Sequence, residues 1–151
     1  MHEDAGISAV RYPRGKDESG ASTPEVFAPF VHLDTGADTL LVTYGRLAAQ
    51  TAAARELLKA DGITADTLRL VKAFPIETDI ARILGRYRHV FFFEEGMREG
   101  GIGQKLAALF PGLHLTAADG FVKPACVARQ LELSGLNAAK MAETVCAVIA
   151  P

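Results

Sequence analysis

A mostly parallel α/β sheet covered by helices on both faces is the fold this sequence predicts. Three observations predict it. Apolar runs recur near residues 39–44, 66–73, 89–94 and 113–117, and continuous runs suit strands buried on both faces better than alternating ones do. Stretches of helical period separate them. Gly and Pro punctuate the junctions. Strands and helices alternating in this way are joined by crossovers that leave neighbouring strands parallel.

Each element follows from local residues. Residues 7–12, ISAVRY, read as a first strand stopped by Pro13. Residues 16–38 contain Gly20, Pro24, Pro29 and Gly36, with only VFAPFVHL apolar, and read as a long surface connection with room for a small hairpin. Because that connection is helix-poor, the first strand is expected to be antiparallel, at or near an edge. TLLVTY is a buried strand closed by Gly45. Leu47, Thr51, Ala54 and Leu58 then give a helix with one apolar face, ended by Asp61-Gly62. TLRLVKAF is the next strand, stopped by Pro75, and Ile80, Ile83 and Leu84 make a short helix ending at Gly85. VFFF is the central strand. Gly96, Gly100, Gly101 and Gly103 make a loop, and Ile102, Leu106 and Leu109 begin a helix stopped by Pro111-Gly112. A fifth strand near 113–117 precedes two helices. Val127 and Leu131 lie on one; Asn137 caps the other, whose apolar face is Met141, Val145 and Val148. The expectation is a single three-layer α/β/α domain over residues 1–151. Its five-stranded mixed sheet has four parallel strands and an antiparallel first strand.

Composition narrows function by exclusion. The chain has 151 residues, 49% hydrophobic and 23% charged, with a net charge of −2, so nothing suggests a nucleic-acid or bilayer surface. No apolar run approaches the roughly 20 residues needed to span a membrane. Cys126 and Cys146 lack metal-ligand spacing and read as small buried residues in a reducing cytoplasm. His2, His32, His89 and His114 are scattered, and no metal site is expected.

The loop at 94–103 follows the central strand, where open α/β sheets place ligands or partners. Glu94, Glu95, Gly100, Gly101 and Gly103 are therefore candidates for a cleft or interface loop, and no residue stands out as catalytic. A dinucleotide fingerprint fails on spacing, since Leu106 stands where the third glycine belongs. The glycines read instead as a tight strand-to-helix turn. Glu94 and Glu95 point to opposite faces of a strand, so they cannot easily share a site; they read as charge at its wet end. Arg11 and Arg14 flank Pro13 at a strand end. They are either solvated charges or a bidentate fork for phosphate or carboxylate.

AVRYPRG, LLVTYGRLAAQ, FPIE, VFFFEEGMREGGIG and ADGFVKPACVARQLELSGLNAAKM occur in that order. Together they resemble the C-terminal domain of the 1-deoxy-D-xylulose-5-phosphate synthases, which are transketolase-like, thiamine-diphosphate-dependent enzymes. The resemblance implies a transketolase C-terminal-domain-like fold with an antiparallel first strand. It implies a cytoplasmic homodimer in which other domains hold thiamine diphosphate and magnesium, with none bound by this chain alone. It also implies that this chain is a fragment or one part of a split enzyme, inactive by itself. Arg14, with Arg11 as second candidate, would bind the phosphate of glyceraldehyde 3-phosphate. Two departures stand out: Lys123-Pro124-Ala125 where the synthases often carry histidine, and the long 16–38 segment. A pure assembly module and a small-molecule-binding regulator derived from the fold are the alternatives.

Overall fold

A computed structural model describes residues 28–149 of the chain. The elements in order are β1 (Phe30–Leu33), β2 (Thr39–Tyr44), α1 (Leu47–Ala60), β3 (Asp66–Leu70), α2 (Thr78–Leu84), β4 (His89–Met97), α3 (Ile102–Leu109), β5 (Leu113–Ala118), α4 (Val127–Leu133) and α5 (Ala138–Ile149). The five strands form one sheet in the order β1-β3-β2-β4-β5. β1 runs antiparallel to β3, and the other neighbours are parallel. The mixed sheet read from the sequence is therefore present.

The antiparallel strand is not where the sequence suggested. Phe30–Leu33 forms it, inside the segment read as a surface connection, while residues 7–12 lie outside the described residues. Only four residues long and half-exposed at an edge, β1 carries no continuous apolar run, so its identity depends on pairing with β3 across the chain. β3 is shorter than read, ending at Leu70, and β4 runs on through Met97 with a register shift against β5 after Phe93.

The sheet separates two apolar cores because side chains alternate along a strand. Phe91 and Phe93 face α1 and α5 with Leu47, Ala54, Leu58, Met141 and Val145. Phe92 faces α2 and α3 with Ile80, Leu84 and Leu106. All three phenylalanines are fully buried, each stabilising the fold by roughly 1.5–3 kcal/mol. Helix ends follow the expected chemistry. Gly62, at φ +80°, turns the chain out of α1. Asn137 Oδ1 accepts the Lys140 amide at 2.9 Å, and Gln50 of α1 accepts the Ala138 amide at 2.9 Å, tying the start of α5 to α1.

Asp66 organises the amino end of the sheet. Its buried carboxylate accepts from the Thr35 amide at 2.9 Å, the Thr35 hydroxyl at 2.5 Å, the Ala37 amide at 3.3 Å and the Tyr87 hydroxyl at 2.9 Å. Burial by itself would push this carboxyl up, but the four bonds outweigh it and hold the group below its ordinary value. Burial, then the bond to Asp66, hold the Tyr87 phenol well above its own. Since the Tyr87 proton goes to the carboxylate, His32 Nε2, 2.8 Å from the phenol oxygen, carries the hydrogen of that contact. His32 lies on β1, so this chain of bonds pins the short edge strand to the body.

Candidate functional site

β2 leads through α1 to β3 on one side, and β4 leads through α3 to β5 on the other. Their carboxyl ends lie side by side where the chain direction diverges, the usual crevice of an open α/β sheet. Loop 94–103 and the turn at Gly45-Arg46 border it.

Glu94 is buried, at 2% exposure, rather than marking a wet strand end. It shares the face of Phe92, and its carboxylate accepts the Ile102 and Gly103 amides of α3, each at 2.9 Å, and the Tyr44 hydroxyl at 2.9 Å. A helix N-terminus attracts anions through its unpaired amides and its dipole. Here the chain fills that position with its own carboxylate. Glu95 points the other way, as strand alternation requires, and forms a two-pronged ion pair with Arg46 across the crevice.

The glycines follow from this arrangement. Gly100 takes φ +78°, which L side chains rarely adopt. At Gly101 a Cβ would sit 2.5 Å from Glu94 Oε2 and 2.6 Å from the Met97 carbonyl oxygen. Gly103 is buried, and a Cβ there would run into Leu115 and come within 2.9 Å of Phe92 Cδ1. Gly101→Ala must therefore displace either a backbone carbonyl or a hydrogen-bonded carboxylate. It is expected to cost about 1–3 kcal/mol in urea unfolding. Gly120→Ala, with nothing within 4 Å of its Cβ, should stay within about 0.5 kcal/mol of the parent. Equal effects at the two positions would remove the close-approach explanation.

Beside the crevice, a cleft of about 300 Å³ opens between the β4 end, the segment after β5 and α4. Met97, Ala118, Phe121, Val122, Leu131 and Leu136 give it an apolar lining, with Glu95 at its border. Phe121 is 87% exposed and Phe74 62%; both follow the carboxyl ends of strands, and Lys105 Nζ rests 4.1 Å from the centroid of the Phe74 ring.

The structure thus brings Glu94, Gly101 and Gly103 together around one helix start and sends Glu95 to the crevice. Arg11 and Arg14 lie outside the described residues. Sequence reading missed Tyr44 and Arg46, although both sit in the stretch TYGR that closes β2. Among the described residues no group of three or more His, Cys, Asp or Glu could hold a metal, and no helix is long and apolar enough to cross a membrane. The start of α3 does not fit a diphosphate group, because the Ile102 and Gly103 amides that could cradle phosphate are taken by Glu94.

The family described as transketolase, C-terminal domain, matches residues 30–141. This chain belongs to that family. The transketolase C-terminal domain seen here is 32% identical over 153 residues to a 1-deoxy-D-xylulose-5-phosphate synthase of Treponema pallidum, covering 89% of this chain and 23% of the relative. It is 33% identical over 156 residues to the synthase of Gloeobacter violaceus, covering 93% and 24%. The chain therefore spans about a quarter of the length of the curated relatives it matches. Its fold is shared with a split-gene transketolase solved as an inactive beta4 tetramer, at TM-score 0.73 and 24% identity over 82% of this chain and 44% of that one. It is also shared with a transketolase of Pichia stipitis, at TM-score 0.59 and 14% identity over 78% of this chain and 17% of that one.

Proposed function

We propose that this chain is the C-terminal domain, or a split subunit, of a thiamine-diphosphate-dependent 1-deoxy-D-xylulose-5-phosphate synthase. In that reading it supplies dimer contacts and a substrate-phosphate-binding arginine, Arg14, with Arg11 assisting or packing behind it. It is not catalytic alone. Thiamine diphosphate and magnesium belong to the other domains, which are its partners in the assembled, cytoplasmic enzyme. The observation that carries the reading is the similarity to the synthases over about nine-tenths of the chain. A match over 93% of 151 residues must include Arg14. The geometry agrees in kind. Glu94 and Glu95 both have partners at the crevice, and the cleft beside it is lined mainly by apolar side chains.

Arg14→Ala in the assembled enzyme tests the assignment. A charge-assisted phosphate contact contributes roughly 1.5–3 kcal/mol, or about one to two powers of ten. The Michaelis constant for glyceraldehyde 3-phosphate should rise by that factor while that for pyruvate barely moves. Arg14→Lys should recover only part, because an ammonium keeps the charge and loses the fork. If an unphosphorylated aldehyde acceptor suffers equally from Arg14→Ala, the phosphate assignment is wrong.

A further inference from the structure

On the face of the sheet that carries α1 and α5, β1 is only partly covered: Val31 and Leu33 are 40% and 42% exposed. A cavity of about 310 Å³ lies there, between α1 and the outer strands. Strand alternation decides what faces it. Val31 and Leu33 of β1, Thr67 and Arg69 of β3 and Thr43 of β2 point into it, and Ala48, Thr51 and Ala52 of α1 stand over them. The space exists because α1 places alanines at 48 and 52, one turn apart on the same side of the helix, where longer side chains would fill it. His32 borders the cavity, but its ring turns to the opposite face and meets Tyr87.

Arg69 gives this cavity its chemistry. Its partners in register across the sheet are Val31 on one side and Thr43 on the other. An acid at either position would balance it, and neither residue carries a charge. The α1 residues over it, Ala48, Thr51 and Ala52, are uncharged as well. Arg69 is half-buried, and among the described residues no carboxylate meets it. The hydroxyls of Thr43 and Thr51 donate to the Phe93 and Leu47 carbonyl oxygens at 2.9 Å each, so their protons are committed inside the fold. The cavity therefore offers one planar cation beside a small apolar patch of Val31, Leu33, Ala48 and Ala52. A guanidinium fork matches the two oxygens of a carboxylate, whereas one arginine leaves a phosphate dianion only half neutralised.

We propose that this cavity binds a small organic carboxylate with a short hydrocarbon tail. Arg69 takes the carboxylate, and the tail lies between Val31 and Leu33 of β1 and Ala48 and Ala52 of α1. A volume of about 310 Å³ stands near the lower end of the range of small-molecule sites, which suits an acid of few carbons. The site shares no residue with the cleft beside α4, and it needs no part of the synthase reading.

Titration of the full chain with hexanoate, read by calorimetry and by amide chemical shifts, tests it. Hexanoate should bind at a single site, with the largest shifts at Val31, Thr67, Arg69, Ala48 and Ala52. Arg69→Met keeps the apolar stem and removes the fork, so binding should weaken about tenfold to a hundredfold. Arg69→Lys should recover only part of that. Hexanamide, with the same tail and no charge, should bind the parent about as weakly as hexanoate binds Arg69→Met. Acetate should bind about tenfold or more below hexanoate, because it leaves the apolar walls uncovered. Ala52→Leu fills the cavity from an exposed helix position and should abolish binding without lowering the thermal melt. Absence of saturable binding up to concentrations on the order of tens of millimolar overturns the proposal. So does hexanoate binding that survives either Arg69→Met or Ala52→Leu. Acetate binding as tightly as hexanoate overturns the tail and marks a bare carboxylate site, of the kind an acidic side chain of a neighbouring domain would fill. Inorganic phosphate binding more tightly than hexanoate overturns the carboxylate.

Discussion

Asp66→Asn is expected to destabilise the domain by about 2–4 kcal/mol at neutral pH, measured by urea unfolding. The carboxylate accepts four hydrogen bonds, and bonds to a charged group contribute about 1.5–3 kcal/mol each before rehydration of the freed donors is allowed for. Thr35 is exposed and can be rehydrated, whereas Tyr87 is buried and cannot, so most of the loss falls on the phenol. Asparagine keeps one acceptor and turns an amide NH₂ toward donors. The pH dependence discriminates. The folded carboxyl titrates below its ordinary value, so the unfolded chain binds more protons as pH falls. The stability Asp66 contributes is present above the unfolded value near pH 4 and is lost as pH drops through the lower folded value. The gap between parent and variant should therefore narrow below about pH 4. A gap that stays constant down to pH 2 would mean that Asp66 acts by shape alone.

Glu94→Ala should cost about 3–4 kcal/mol, because it removes the acceptor of two helix-start amides and one phenol at once. The lost interaction of the carboxylate with the α3 dipole adds to this. Glu94→Gln preserves the volume but offers an NH₂ group where a second acceptor is needed, so about 2 kcal/mol is expected. Hydrogen exchange localises the effect: the Ile102 and Gly103 amides should lose protection in both variants more than those of α1. If Glu94→Gln is as stable as the parent, a neutral acceptor suffices and the ionic account of the helix start fails.

How legible all this was in the sequence depends on what each feature needs. β2 and β4 could be read because a strand buried on both faces must be apolar at consecutive positions, as TLLVTY and VFFF are. The helices could be read from their period, and Asp61-Gly62 and Asn137 from the chemistry of helix ends. β1 could not, because four half-exposed residues become a strand only when Leu68 and Leu70 arrive as partners from distant sequence. Opposite faces for Glu94 and Glu95 followed from alternation, but the burial of Glu94 did not, since a carboxylate is normally a surface group. One signal was present: a glutamate followed by Gly101 and Gly103 at a helix start leaves room for the carboxylate to reach the amides. The Arg46–Glu95 and Tyr44–Glu94 contacts join positions about 50 apart in the chain and carry no local signature.

The sheet is also an energetic partition. Phe92 and Phe93 are adjacent in the chain yet share no core, whereas Phe93 and Met141 belong to one cluster. In a close-packed interior a change of volume is felt by the atoms it touches, and sites without common neighbours respond independently. Distance along this chain is therefore a poor guide to thermodynamic kinship, and one step across β4 separates more than dozens of residues along it. Such a molecule can drift on its α2/α3 side, rebuilding that surface for a new neighbour, while the α1/α5 side keeps the original packing intact.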